Sequence, residues 1–192
     1  MNLPNRLTLL RVALVPLFLV LCLVAFPFHY TVALAVFGAA AFTDFLDGRI
    51  ARKQGLVTDF GKFLDPIADK LLTTAALLVF LAQGCLDVWA VMLVLAREFM
   101  VTSVRLMAAG DGTVVAASFA GKLKTVAQYI AIIAMLLALQ WRELCVGFGF
   151  DPLWSSLPIL AAQILLWVSV VLTCWSGVQY LWEYRRYFSA DR

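Results

Sequence analysis

Asp44 and Asp47 stand near the end of one long apolar stretch, and Asp65 and Asp69 near the start of the next. An ionised carboxylate at membrane depth is expensive unless it is paired or holds a cation, so such residues mark functional sites by default. On helices, spacings of three and four put each pair on one face; Gly48 and Ala51 continue the first stripe, and Gly61 lies one turn before Asp65. Four converging carboxylates form an all-oxygen site for one or two divalent cations. Such ligands select Mg²⁺ first, with Mn²⁺ and Ca²⁺ behind it, and no Cys or His lies in the cluster to favour zinc. Two ions about 4 Å apart form the clamp used in phosphoryl transfer, so phosphates are the expected substrate groups. Gly48 and Gly61 permit close approach by a bulky ligand, and Arg52 and Lys53 are placed to offset phosphate charge. Any one of these aspartates or glycines alone is better read as an ion pair with Arg49, Arg52 or Lys62, or as helix packing. The joint arrangement is not, because structural ion pairs need neither four acids on two facing stripes nor a glycine flanking each pair.

The elements that must position these acids are membrane helices. With 64% hydrophobic residues and a mean hydropathy of +0.93, the chain exceeds what a soluble domain of its size carries. A bilayer core of about 30 Å takes about 20 helical residues to cross, so 192 residues leave room for six spans and short connections. The pattern predicts spans near 6–26, 31–53, 60–82, 87–109, 119–140 and 157–183. Breaks fall at Pro27 and His29, at the turn from Gln54 to Asp59, at Gly84, at Gly110 to Gly112, and between Gly147 and Pro152. With no repeat, low-complexity tract or long linker, residues 1–192 read as one all-α integral membrane domain. The short turn after Gln54 makes the second and third spans an antiparallel hairpin that brings the two acidic faces together.

Lys and Arg accumulate in cytoplasmic loops. A cytoplasmic N-terminus and six spans put every Lys and Arg except Arg142 on the cytoplasmic side, with the C-terminus and all four aspartates. The first span resembles a signal peptide only in its basic start at Arg6 and Arg11, because no small-residue cleavage site lies near Phe26 to Tyr30. Cys22, Cys85, Cys145 and Cys174 follow neither a disulfide nor a zinc pattern. The formal net charge of +3 sits at span ends and forms no separate basic face, which argues against nucleic acid as a partner. His29, the only histidine, falls on the far side from the aspartates and takes no catalytic role. Trp141, Trp154, Trp175 and Trp182 read as interfacial belt residues.

Asp44, Asp47, Gly48, Ala51, Arg52, then eight residues, then Gly61, Asp65 and Asp69 match the pattern DxxDGxxAR followed by GxxxDxxxD at every fixed position. In this the chain resembles the CDP-alcohol phosphatidyltransferases. The resemblance implies a six-helix membrane fold, a homodimer, and attack by a hydroxyl on the diphosphate of a CDP-linked lipid with release of CMP. It implies that Asp44, Asp47, Asp65 and Asp69 ligate two metals, that Asp69 is also the general base, and that Gly48, Ala51, Arg52 and Gly61 line the CDP site. The opening Asn2 to Arg11, the stretch from Arg97, Glu98 and Phe99 to Arg105, and Gly121, Lys122, Lys124, Thr125 and Gln128 resemble the branch that takes CDP-diacylglycerol and glycerol 3-phosphate. Cardiolipin synthases of the same superfamily carry a similar Gly-Lys and Thr segment, so phosphatidylglycerol stays open as acceptor. The compact all-membrane chain, with no targeting extension, resembles proteins of the bacterial cytoplasmic membrane.

Charge agrees with a phosphate-bearing acceptor. Arg97, Arg105, Lys122 and Lys124 fall toward the cytoplasmic ends of the fourth and fifth spans, joined by a Gly-rich loop, where they are placed to converge on an anion. Arg97 and Arg105, eight apart, share a helical face, and Glu98 is placed to orient one of them. An inositol phosphate acceptor would need a similar number of cations. For any single lysine, a positive-inside anchor or lipid contact explains its presence equally well. Asn2, Asn5, Thr8 and Arg11 recur every third residue, a polar stripe that either contacts the diphosphate or anchors the helix along the membrane surface. Two other classes stay open: a cation transporter, whose ligands belong near the bilayer midplane, and a lipid-binding scaffold, which has little need of the acids.

Overall fold

The computed structural model describes the backbone of residues 3–54, 59–110 and 118–185, and the side chains of 6–43, 67–68, 70–108 and 118–185. Within them the chain forms six helices and no strand: α1 (Leu3–Leu23), α2 (His29–Gln54), α3 (Asp59–Ala82), α4 (Val88–Gly110), α5 (Phe119–Phe148) and α6 (Pro152–Glu183). Local chemistry sets the ends. The turn before α2 passes through Phe28 with φ +63°, and Gly84, with φ +69°, lets α3 stop and reverse toward α4. Asp87 accepts from the Trp89 N–H at 2.8 Å, and Ser118 caps α5 by accepting from the Gly121 N–H at 3.1 Å. Gly149, at φ +70°, closes α5 with its N–H turned back to the carbonyls of Cys145 and Val146. Asp151 and Pro152 then open α6. The last break is therefore tighter than the apolar pattern suggests: α5 runs eight residues past 140 and α6 starts five before 157, because the Gly149 cap needs only three residues to turn.

The helices pack as two triplets. In one, α1 lies against α2 and α3; in the other, α6 lies against α5 and α4; the triplets meet where α2 touches α5 and α3 touches α4. Phe18, Phe37, Phe80, Leu72, Ile132, Met135, Leu136 and Leu166 are buried in the core between them. Phe37 bridges the halves, with ring centroids 5.8 Å from Phe18 and 5.6 Å from Tyr129. The outward faces are apolar as well: Leu10, Val20, Leu106, Val126, Leu137 and Val171 are all exposed, as expected of helices solvated by lipid.

Among the described residues, three helices are long and apolar enough to cross a membrane, within Arg6–Leu23, Phe119–Phe148 and Pro152–Glu183, and His29–Thr43 and Lys70–Ala82 are shorter apolar helical stretches. The apolar parts of α2 and α3 stop next to their aspartates, and α4 is interrupted by Arg97, Glu98 and Arg105. Cys22, Cys85, Cys145 and Cys174 are free thiols.

Candidate active site

Asp44 and Asp47 lie in the last three turns of α2, and Asp65 and Asp69 in the first three turns of α3. At 1.5 Å per residue, Asp44 is roughly 15 Å from the end of α2 and Asp69 roughly 15 Å from the start of α3. Four residues join the two helices, so both acid pairs belong to the same end of the bundle. The side chains of Asp44, Asp47, Asp65 and Asp69, and those of Gly48, Ala51, Arg52 and Gly61, lie outside the described residues, as does that of Asn5. Among the side chains described, no three His, Cys, Asp or Glu residues gather into a metal site. The donor set of the acidic turns, carboxylates alone, fits a hard divalent ion.

One residue beyond Asp69 a cavity of about 470 Å³ opens, lined on α3 by Lys70 and Thr73, on α4 by Arg97, Glu98 and Arg105, and on α5 by Gly121, Lys122, Lys124, Thr125 and Gln128. All four cations read from the sequence as an anion pocket line this one space, and Lys70 joins them. Among the described residues, five cations and one carboxylate line the cavity. Lys124, 4% exposed, donates from Nζ to Oε1 of Glu98 at 2.6 Å. Arg97 donates from Nη1 to the same oxygen at 3.0 Å, and Lys70 donates to the Glu98 backbone carbonyl at 3.2 Å. Glu98 thus neutralises part of the cluster and ties α3, α4 and α5 together. Arg105 is held from α6, its Nε donating to the Tyr180 hydroxyl at 3.4 Å, with its guanidinium 5.8 Å from the Tyr180 ring centroid.

Two expectations change. Arg97 sits near the middle of α4 and not toward its end, a depth tolerated because Glu98 and Lys124 form one hydrogen-bonded group with it. The surface-anchor reading of the N-terminal stripe fails for Thr8 and Arg11, which are both 1% exposed on a helix packed against α2 and α3. That packing buries Thr8 and Arg11 against the bundle, where α1 meets the two helices that carry the aspartates. Lys70 and Tyr180 escaped sequence reading. Lys70 carried a signal, since it directly follows Asp69 and opens an apolar run, whereas Tyr180 is an unremarked member of an apolar helix.

The far end holds a second polar group. His29 makes a 2.9 Å hydrogen bond from Nδ1 to the Leu21 carbonyl and a 2.6 Å contact from Nε2 to Glu143, while Thr31 donates from N–H and hydroxyl to Gln140. His29 and Asp44 are fifteen residues apart on α2, roughly 22 Å, so this group is structural.

Residues 1–175 match the CDP-alcohol phosphatidyltransferase family. The chain is 43% identical over 195 residues to a protein of Bacillus subtilis, covering 95% of this chain and 93% of the relative. It is 35% identical over 187 residues to one of Rickettsia bellii, covering 97% of each, and 36% identical over 190 residues to one of Sodalis glossinidius, covering 96% of each. All three relatives are named "CDP-diacylglycerol--glycerol-3-phosphate 3-phosphatidyltransferase". The acid spacing on α2 and α3, the match over nearly the whole chain and these relatives together make the chain a member of the CDP-alcohol phosphatidyltransferase family.

Proposed function

We propose that this protein transfers the phosphatidyl group of CDP-diacylglycerol to glycerol 3-phosphate, releasing CMP and leaving phosphatidylglycerophosphate in the membrane. The observation that carries the reading is the cavity that opens one residue beyond Asp69, where five cations and one carboxylate line the space among the described residues. Its volume of about 470 Å³ suits a small phosphorylated polyol, and its arginines and lysines suit a phosphate. The relatives' shared name supports the same acceptor.

The lipid keeps its acyl chains among the exposed apolar faces of the helices and its diphosphate over the acidic turns of α2 and α3, with Gly48, Ala51, Arg52 and Gly61 against the CDP. Asp44, Asp47, Asp65 and Asp69 would hold two Mg²⁺ or Mn²⁺ ions, which supply charge compensation to the diphosphate and the departing CMP. Arg97, Arg105, Lys122 and Lys124 hold the acceptor phosphate. That aims the 1-hydroxyl of glycerol 3-phosphate at the phosphorus bearing the diacylglycerol. Asp69 takes the hydroxyl proton, the new phosphorus–oxygen bond forms, and the bond to the CMP phosphate breaks. Asn5, Thr8 and Arg11 on α1 contribute contacts to the diphosphate.

In this reading all six helices span the membrane, both termini are cytoplasmic, the site opens at the cytoplasmic boundary, and the enzyme works as a homodimer among the lipids of a bacterial inner membrane. The test is CMP release by the purified protein in detergent with CDP-diacylglycerol and Mg²⁺, with glycerol 3-phosphate, inositol phosphate, serine and phosphatidylglycerol supplied separately. Release with glycerol 3-phosphate alone, abolished by EDTA, is expected. Release only with another acceptor overturns the assignment of the basic cavity while keeping the acid chemistry.

A further inference from the structure

Arg97 crosses α6 at that helix's only glycine. A Cβ built on Gly177 would stand 3.0 Å from Cγ of Arg97 and 3.8 Å from its Cβ, against about 3.5–4.0 Å for an unstrained contact between carbons. The obstructed atom is near the root of the arginine side chain, where a change of direction swings everything beyond it. At the far end, Nη2 lies 3.7 Å from where a Cβ on Gly121 would be, and Nη1 donates to Glu98 at 3.0 Å. The arginine is therefore laid between two glycines, with Gly177 of α6 under its stem and Gly121 of α5 beside its head. The Nε of the same guanidinium is buried and has no hydrogen-bond partner among the described residues, so the side chain is directed by packing as much as by its bond to Glu98.

We infer that Gly177 is a positioning residue of the anion cavity: its missing side chain lets Arg97 lie flat on α6 and reach the cavity, which sets affinity for the phosphate-bearing acceptor. Gly177 touches no reacting group and acts only through Arg97. The inference rests on the reading of that cavity as the acceptor site.

The experiment measures CMP release and thermal unfolding of the purified full chain as wild type, Gly177→Ala, Arg97→Ala and the double variant. Displacing the guanidinium by a few tenths of an ångström is expected to raise KM for glycerol 3-phosphate roughly tenfold in Gly177→Ala, with KM for CDP-diacylglycerol nearly unchanged. In the Arg97→Ala background the same substitution should change KM no further, because the side chain it displaces is gone. Should Gly177→Ala prove too unstable to assay, the double variant decides: recovery of the Arg97→Ala melting midpoint identifies the clash with the arginine stem, and no recovery overturns the inference. An active wild type with an unchanged acceptor KM in Gly177→Ala overturns this inference alone. A wild type that releases no CMP with glycerol 3-phosphate overturns the functional reading, and this inference with it.

Discussion

The Nζ of Lys124, on α5, donates to Oε1 of Glu98, on α4, at 2.6 Å, and that bond joins two helices through a nearly buried lysine. Removing the carboxylate leaves the ammonium buried without its counter-charge. Glu98→Gln is therefore expected to lower unfolding free energy by roughly 1–3 kcal/mol, read by denaturant or thermal unfolding in detergent. Wild-type stability in this variant would show that the pair is not what holds α4 to α5.

Asp69 lies on α3 directly before Lys70, which lines the cation cavity. As the proposed base, it should be sensitive to loss of charge at constant shape. Asp69→Asn is expected to cut kcat by at least about 10²–10⁴-fold, measured as CMP release. Full retained activity would remove Asp69 from the mechanism.

Arg105 reaches the cavity from the exposed side of α4 and is steadied by Tyr180 on α6. A charge-assisted hydrogen bond to phosphate contributes about 1.5–3 kcal/mol, so Arg105→Ala should raise the acceptor KM by about 10–100-fold. Tyr180→Phe keeps the ring and loses only a 3.4 Å hydrogen bond, and its effect should stay within about fivefold. Initial rates over a glycerol 3-phosphate series check both.

Metal removal separates the two halves of the site. Chelation by EDTA should abolish turnover, and Mg²⁺ or Mn²⁺ in excess should restore it. Acceptor binding in the cation cavity, followed by calorimetry with glycerol 3-phosphate, should persist without metal because its contacts come from arginine and lysine.

At the opposite end, Glu143→Gln tests whether the His29 group is purely structural. The expected result is a loss of about 1–2 kcal/mol in stability with both KM values unchanged. A selective change in acceptor KM would contradict that assignment.

Much of this arrangement is legible in the residues. Six apolar stretches separated by Pro, Gly and charged turns become α1 to α6 because those turn residues end helices and the apolar runs between them are long enough to form one each. Arg97 and Arg105 share a face because eight residues nearly complete two helical turns. The spacing of Asp44, Asp47, Asp65 and Asp69 follows from the same period. What the pattern does not reveal is depth and neighbour. Nothing local distinguishes an arginine at a span end from one at mid-helix whose charge is met by Glu98 and Lys124. Gly177 and Tyr180 acquire meaning only when α6 is laid against α4, a contact between residues 75 or more positions apart.

The two ends of the bundle differ in mechanical character. At one, His29, Thr31, Gln140 and Glu143 rivet α2 to α5, with the Leu21 carbonyl of α1 bonded to the same ring. At the other, a charged cavity lies between the triplets, crossed by Lys70 of α3, which donates to the Glu98 carbonyl of α4. Stiffness is therefore unevenly distributed along the bundle: one end is clamped by a side-chain network that joins three helices, while the other is divided by a cavity.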